Sequence, residues 1–119
     1  MDARVPGAAM KLISSLVRPG KVDSVKQALG NLRVYSLNVA ETHDFAPQKH
    51  DATVWLGHEC SLGFSMKMQI EVVVHDDDVD EVVNAIVKTA RTGQEGDGQV
   101  LVLPVDHRYN IHNGNRDVS

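Results

Sequence analysis

The sequence is short of cysteine, aromatic side chains, positive charge and long apolar runs. Its single cysteine, Cys60, cannot close an internal disulfide, so covalent cross-linking is excluded as a source of stability and a reducing compartment suits the chain. Twelve basic residues against sixteen acidic ones leave a net charge of -4 with no basic stripe. A nucleic-acid partner therefore has little electrostatic support and is not expected. No apolar run approaches the roughly 18 residues of a membrane span, and the opening MDARVPGAA lacks the apolar stretch of a secretory signal. A cytoplasmic protein is expected, touching a membrane only through a partner. No nucleophile–base pair or paired-carboxylate spacing stands out either, so the chain is expected to act by binding and not as an enzyme.

At 119 residues and 42% apolar content the chain has enough material for one core and too little for two ordinary domains. Residues 1–9, with small residues, Pro6 and Gly7, predict a disordered extension ahead of one domain over 10–119. KLISSLVR (11–18) reads as a strand, stopped by Pro19-Gly20. Val22, Val25, Ala28, Leu29 and Leu32 then recur at helical spacing, and VYSLNVAE (34–41) returns to a strand pattern. In FSMKMQIEVVV, Met66, Met68, Ile70, Val72 and Val74 alternate with Lys67, Gln69 and Glu71, the mark of a half-buried strand. Asp76, Asp77 and Asp78 sit where carboxylates cap a helix N-terminus, and Val79, Val82, Val83, Ile86, Val87 and Ala90 form the apolar stripe behind them. The final strand reads VLVLPV. Two βαβ units in series predict an α+β, ferredoxin-like βαββαβ fold, its antiparallel sheet carrying two helices on one face.

Two connections attract functional interest. Residues 42–63 form a polar stretch longer than compact domains usually tolerate outside a binding surface. Residues 92–99, TGQEGDGQ, place three glycines in seven residues, which lets backbone lie close against a ligand as phosphate-cradling loops require. That loop closes on Gln99, where a phosphate binder favours a cation.

These segments together resemble the PII signal-transduction family. MKLISSLVRPGKVDSVKQAL is similar to its opening strand and helix, ETHDFAPQKH to the start of its T-loop, MKMQIEVVV to the following strand, and TARTGQEGDG to its nucleotide-binding B-loop. The resemblance covers residues 10 to about 114, and the T-G-x-x-G-D-G pattern in that register is specific. It implies a homotrimer with adenine nucleotides (ATP, ADP or AMP) between subunits, a T-loop over 42–63, a B-loop over 91–99 and a C-terminal segment over 106–119. By resemblance, Gly96, Asp97 and Gly98 reach the phosphates through their backbones, Leu16, Asn38 and Val73 lie near adenine and ribose, and Glu71 sits beside the base. Phe45, Ala46, Arg91 and Thr92 complete the implied nucleotide site. On physical grounds alone, Leu16 and Val73 read as core. The family's second ligand, magnesium-chelated 2-oxoglutarate, would use Gln48 toward the metal, with Lys49 and Lys67 toward the effector, a hard cation with oxygen ligands beside a lysine point charge. The bland reading makes Gln48 and Lys67 solvated surface residues.

Departures from the family cluster on charge. Gln99 stands where the family places a phosphate-binding lysine, and Asn110 and His112 where two arginines clamp the terminal phosphates. Each lost charge-assisted hydrogen bond is commonly worth about 1.5–3 kcal/mol, so ATP should suffer more than ADP or AMP. Lys49, Arg91, His107, Arg108 and a protonated His112 are the cations available to compensate, although scattered basic residues are usually solvated. Cys60 occupies the place of the tyrosine that enterobacterial relatives uridylylate, so that switch is not expected. Ala46 and His50 replace glycines and Pro47 an arginine, which stiffens the T-loop base. Trp55, a lone loop tryptophan, is the expected partner anchor beside Cys60, with folding back onto its own trimer as the alternative.

Two other readings compete. His43, His50, His58, Glu59 and Cys60 are zinc-ligand types in one loop, although their spacing matches no compact site. Relatives that serve inorganic carbon make bicarbonate, or energy charge read as ADP or AMP, an alternative to 2-oxoglutarate. In each case the partner would be a transporter or metabolic enzyme.

Overall fold

A computed structural model of the chain describes residues 9–47 and 62–116. Residues 1–8, 48–61 and 117–119 lie outside the described residues, and with them the expectations for the N-terminal extension, Gln48, Lys49, His50, Trp55, His58, Glu59 and Cys60.

The elements follow in the order β1 (Met10–Val17), α1 (Val22–Leu29), β2 (Ser36–Pro47), β3 (Leu62–His75), α2 (Val79–Ala90) and β4 (Gly98–Val105). Every strand pair is antiparallel and the sheet order is β2-β3-β1-β4, the ferredoxin-like arrangement that the double βαβ pattern predicts. Arg18, held extended at φ -64° and ψ 143° as a residue before proline should be, ends β1, and Pro19 opens a 3₁₀ turn into α1.

Alternation builds the core. Ile13 and Val17 from β1 and Ile70, Val72 and Val74 from β3 point at Val25 and Leu29 of α1 and at Val82, Ile86 and Ala90 of α2, and all are buried. Full burial of such a side chain contributes about 1.5–3 kcal/mol. Ser15 shares this face because its hydroxyl donates to the Ile70 carbonyl at 3.0 Å, so no polar group is left unpaired there. Leu12, Ser14 and Leu16 take the opposite, helix-free face, in register with Val73, Glu71 and Gln69 of β3.

Three expectations change. The stretch 42–63 begins and ends as strand: Thr42–Pro47 pair with Leu62–Lys67. β1 covers β3 only from Met68 onward, so this part is a two-stranded ribbon projecting past the four-stranded sheet. For the same reason Met66, assigned to the apolar face, is 41% exposed: it lies beyond the helices. Lys67, assigned to the polar face, is only 6% exposed, and its Nζ donates to Ser65 Oγ at 2.8 Å, which removes the reading of a solvated lysine.

The third change concerns Asp76–Asp78, which form a 3₁₀ turn before α2. The side chain that caps it is His75, whose Nδ1 accepts from the Asp77 amide at 3.2 Å. The carboxylates serve ion pairs instead. Asp76 meets Lys11 Nζ at 3.1 Å, and the buried Asp78 meets Arg33 Nη2 at 3.2 Å. His75 Nε2 is buried with no hydrogen-bond partner among the described residues.

Candidate functional site

Where β1 ends and β4 begins, a cleft of about 350 Å³ opens between the sheet and α2. Val83, Ile86, Val87 and Ala90 form its helix wall, Val17 and Val100 its sheet wall, and Arg91, Asp97 and Gly98 its polar rim, while Leu16 and Gln99 border it from paired positions whose side chains take the opposite face. An apolar cleft of this size with a few convergent polar groups is the usual form of a small-ligand site. Val87 belongs to the α2 stripe yet is 43% exposed, because it faces this opening instead of the core.

The rim loop is closed from within. The Asp97 carboxylate accepts from the Thr92 amide at 2.8 Å and the Gly93 amide at 2.9 Å, and from the Thr92 hydroxyl. Arg18 Nε reaches the same carboxylate at 3.1 Å, and Arg18 Nη2 donates to the Glu95 carbonyl at 3.2 Å. The Thr92 hydroxyl, then its amide, hold the Asp97 carboxyl far below the usual carboxylate range, with Arg18 and the Gly93 amide adding to the effect. Partial burial opposes them and loses.

Three glycines hold this shape in the left-handed region, Gly93 at φ 90° with open space around it and two others with neighbours. Gly98 has φ 122°, and a Cβ there would lie 1.8 Å from the Leu16 carbonyl oxygen. Gly96 has φ 91°, with Arg18 Nη2 3.5 Å from where its Cβ would stand. Elsewhere Gly96 is open, as a backbone that must approach a ligand requires.

The residues expected at a nucleotide site divide into five places. Leu16, Arg91, Asp97, Gly98 and Gln99 line the cleft, with Leu16 and Gln99 directly paired across β1 and β4. Thr92 and Gly96 lie in the rim loop, and the amide and hydroxyl of Thr92 are both directed at Asp97. Asn38 and Glu71 pair with each other on the helix-free face, one row from Val73, and Gln69 Nε2 bridges Glu71 Oε2 at 3.4 Å and Ser14 Oγ at 3.3 Å. Phe45 and Ala46 lie in the β2–β3 ribbon, at the same end of the sheet as the cleft but on the β2 side.

Asn110 and His112 lie at the other end. β4 runs from Gly98 at the cleft to Val105 beside Met10, a span of about 23 Å at strand rise. Past it, the Arg108 guanidinium sits 5.8 Å over the ring of Tyr35, whose amide donates to Val73, and Tyr109 bridges to Arg116. The described part of the C-terminal segment, 106–116, thus stays at the end opposite its own cleft.

The residue that sequence reasoning missed is Arg18. Nothing local links it to a partner 79 positions away, and only the β1–β4 register brings them together. The helix wall was legible as an apolar stripe, but not the fact that one member, Val87, turns away from the core. Of the zinc-type residues only His43 lies among the described residues, which contain no metal-competent cluster of His, Cys, Asp or Glu. No helix among the described residues is long and apolar enough to cross a membrane.

Fold and cleft together define a small ferredoxin-like α+β domain with a glycine-rich loop set against an apolar cleft. The family is settled by comparison. The model of the nitrogen regulatory protein P-II family matches residues 10–115, and the chain belongs to that family. It is 39% identical to the nitrogen regulatory protein P-II of Synechocystis sp. over 108 residues, 91% of this chain and 96% of that one. The Rhizobium etli protein of the same name is 35% identical over the same coverage. Among solved structures, B. subtilis GlnK in complex with ATP superimposes with a TM-score of 0.77 at 26% identity, covering 97% of both chains. Arabidopsis thaliana PII bound to citrate gives 0.71 at 29% identity, covering 92% of this chain and 89% of that one.

Proposed function

We propose that this P-II family regulator is a homotrimer whose inter-subunit clefts bind an adenine nucleotide and convert its occupancy into the conformation of residues 42–63, which control a transporter or enzyme of nitrogen metabolism. The observation that carries this reading is the cleft itself, an apolar slot rimmed by a loop that Asp97 closes from within. The similarity to GlnK–ATP supports a nucleotide there. The trimer is supported by the distance between the cleft and Asn110 and His112, which meet a nucleotide only at a neighbour's cleft. The protein acts by binding: the ligand favours one set of loop conformations and shifts partner affinity by that difference.

An acidic effector such as 2-oxoglutarate is proposed to meet Lys67, which is buried near the ribbon base, together with Gln48 and Lys49, and magnesium to be held through Gln48. Trp55 and Cys60 are the proposed partner contacts. A second reading is favoured by Gln99, a neutral residue bordering the cleft where the family places a phosphate-binding lysine. It makes the protein a sensor of ADP or AMP, or of inorganic carbon as bicarbonate.

Calorimetric titration of the purified protein with ATP, ADP and AMP, with and without magnesium, then with 2-oxoglutarate and bicarbonate, tests both. ATP binding strengthened by 2-oxoglutarate supports the nitrogen sensor; preference for ADP or AMP without that effect supports the second. No binding of any nucleotide sinks both. Val87→Glu checks the location, because it puts an unpaired carboxylate on the cleft wall from a position already exposed. Nucleotide affinity should fall about tenfold through like-charge repulsion, with thermal stability unchanged.

A further inference from the structure

The rim loop holds a carboxylate at the place proposed to receive a polyanion. Asp97 cannot be dispensed with, since its oxygens tie the Thr92 and Gly93 amides, yet left alone its charge would repel phosphate. Arg18 answers this conflict. Its guanidinium is the cation on Asp97, and the same group donates to the Glu95 carbonyl, so one side chain grips two points of the loop.

The root of that side chain is rigid. Arg18 follows Val17, which pairs with Gly98, and precedes Pro19, which restricts its backbone to the extended region. Its carbonyl accepts from the Lys21 amide at 2.9 Å. The guanidinium passes within van der Waals distance of the Cβ position at Gly96, so it lies against the turn of the loop and not at the end of a free tether.

Resting on the nucleotide reading, we propose that Arg18 is a positioning residue of the cleft: it fixes the 92–98 loop through Asp97 and Glu95 and cancels the Asp97 charge, so that the loop accepts phosphates in a chain with Gln99 bordering the cleft. A planar fork is required for the two-point grip, and lysine, a point charge, supplies only the neutralisation. The two parts of the role therefore separate by substitution.

The test compares Arg18→Gln and Arg18→Lys with the parent chain in two measurements. Amide hydrogen exchange at Thr92 and Gly93, made without nucleotide, reads the loop: both variants should exchange faster, because both lose the fork. Titration with AMP, ADP and ATP reads the charge: Arg18→Gln should lose affinity in proportion to phosphate charge, about threefold for AMP rising to about tenfold for ATP, the scale expected of a partly exposed, screened pair. Arg18→Lys should lose about the same factor for all three. Thermal stability should stay within a degree or two of the parent, since the Arg18 guanidinium bonds Asp97 and the Glu95 carbonyl of an exposed loop. Unchanged exchange in both variants overturns the positioning role, and an equal loss for all three nucleotides in Arg18→Gln overturns the neutralising one. If the parent chain binds no nucleotide, the nucleotide reading and the neutralising role fail together, and the exchange result decides the positioning role by itself.

Discussion

Gly98→Val is expected to remove the cleft and to lower stability by about 3 kcal/mol or more, the range of clashes and left-handed strain at positions that cannot relax. The added Cβ would stand 1.8 Å from the Leu16 carbonyl oxygen, a backbone atom fixed in the β1–β4 pairing. A flexible side chain could swing aside, but this carbonyl could retreat only by separating β1 from β4. A β-branched residue at φ 122° adds a backbone conformation that L-residues rarely adopt. Gly96→Val is the control. Its Cβ would meet only the end of the Arg18 side chain at 3.5 Å, so the strain stays in the loop. Thermal denaturation should show a large loss for Gly98→Val and a small one for Gly96→Val, while nucleotide titration should show little binding in either. A Gly98→Val chain as stable as the parent would mean that the strand start is not locked against Leu16.

This contrast marks where sequence reasoning stops. Periodicity placed Val25, Leu29, Val82, Ile86 and Ala90 on buried stripes because each answers to its own helix, and it placed Ile70, Val72 and Val74 on one face of β3 for the same reason. It misplaced Met66 and Lys67, whose environments depend on where β1 stops covering β3, a fact of register between segments fifty residues apart. The glycines of the 92–99 loop were visible in the sequence, but not the difference between Gly98, locked against a carbonyl, and Gly96, which meets only the end of the Arg18 side chain. Asp76–Asp78 looked like caps by position, yet His75 does the capping while Lys11 and Arg33, both distant in sequence, take two of the carboxylates. Arg18 belongs to the same class. A guanidinium beside a proline carries no local sign that it will meet Asp97, and the pairing exists only because β1 and β4 are neighbours.

Asp97→Ala should reduce nucleotide affinity about thirtyfold or more, although it removes a negative charge from a site proposed to take phosphates. The sign follows from comparing two effects. Deleting a partly exposed carboxylate unmasks the Arg18 charge and favours phosphate by at most the roughly tenfold expected for losing that charge, because the pair is screened by solvent. Deleting the acceptor of the Thr92 hydroxyl, the Thr92 amide and the Gly93 amide frees the loop, and binding must then order those residues again at a conformational-entropy cost each time. Geometry outweighs charge. The same carboxylate sets a pH dependence whose direction is fixed: a group held below its ordinary value in the folded loop contributes order that is fully present above the ordinary carboxylate range, and that order is lost as pH falls toward the lowered value. The closed loop should therefore persist through about pH 4, where unperturbed aspartates titrate, and open only in stronger acid. Amide exchange at Thr92 and Gly93, corrected for the intrinsic pH effect, should show constant protection from neutral pH to about pH 4 in the parent chain and none at any pH in Asp97→Ala. Protection already lost at the pH where ordinary aspartates protonate would mean that Asp97 is not what closes the loop, and Arg18 would then hold it through the Glu95 carbonyl alone.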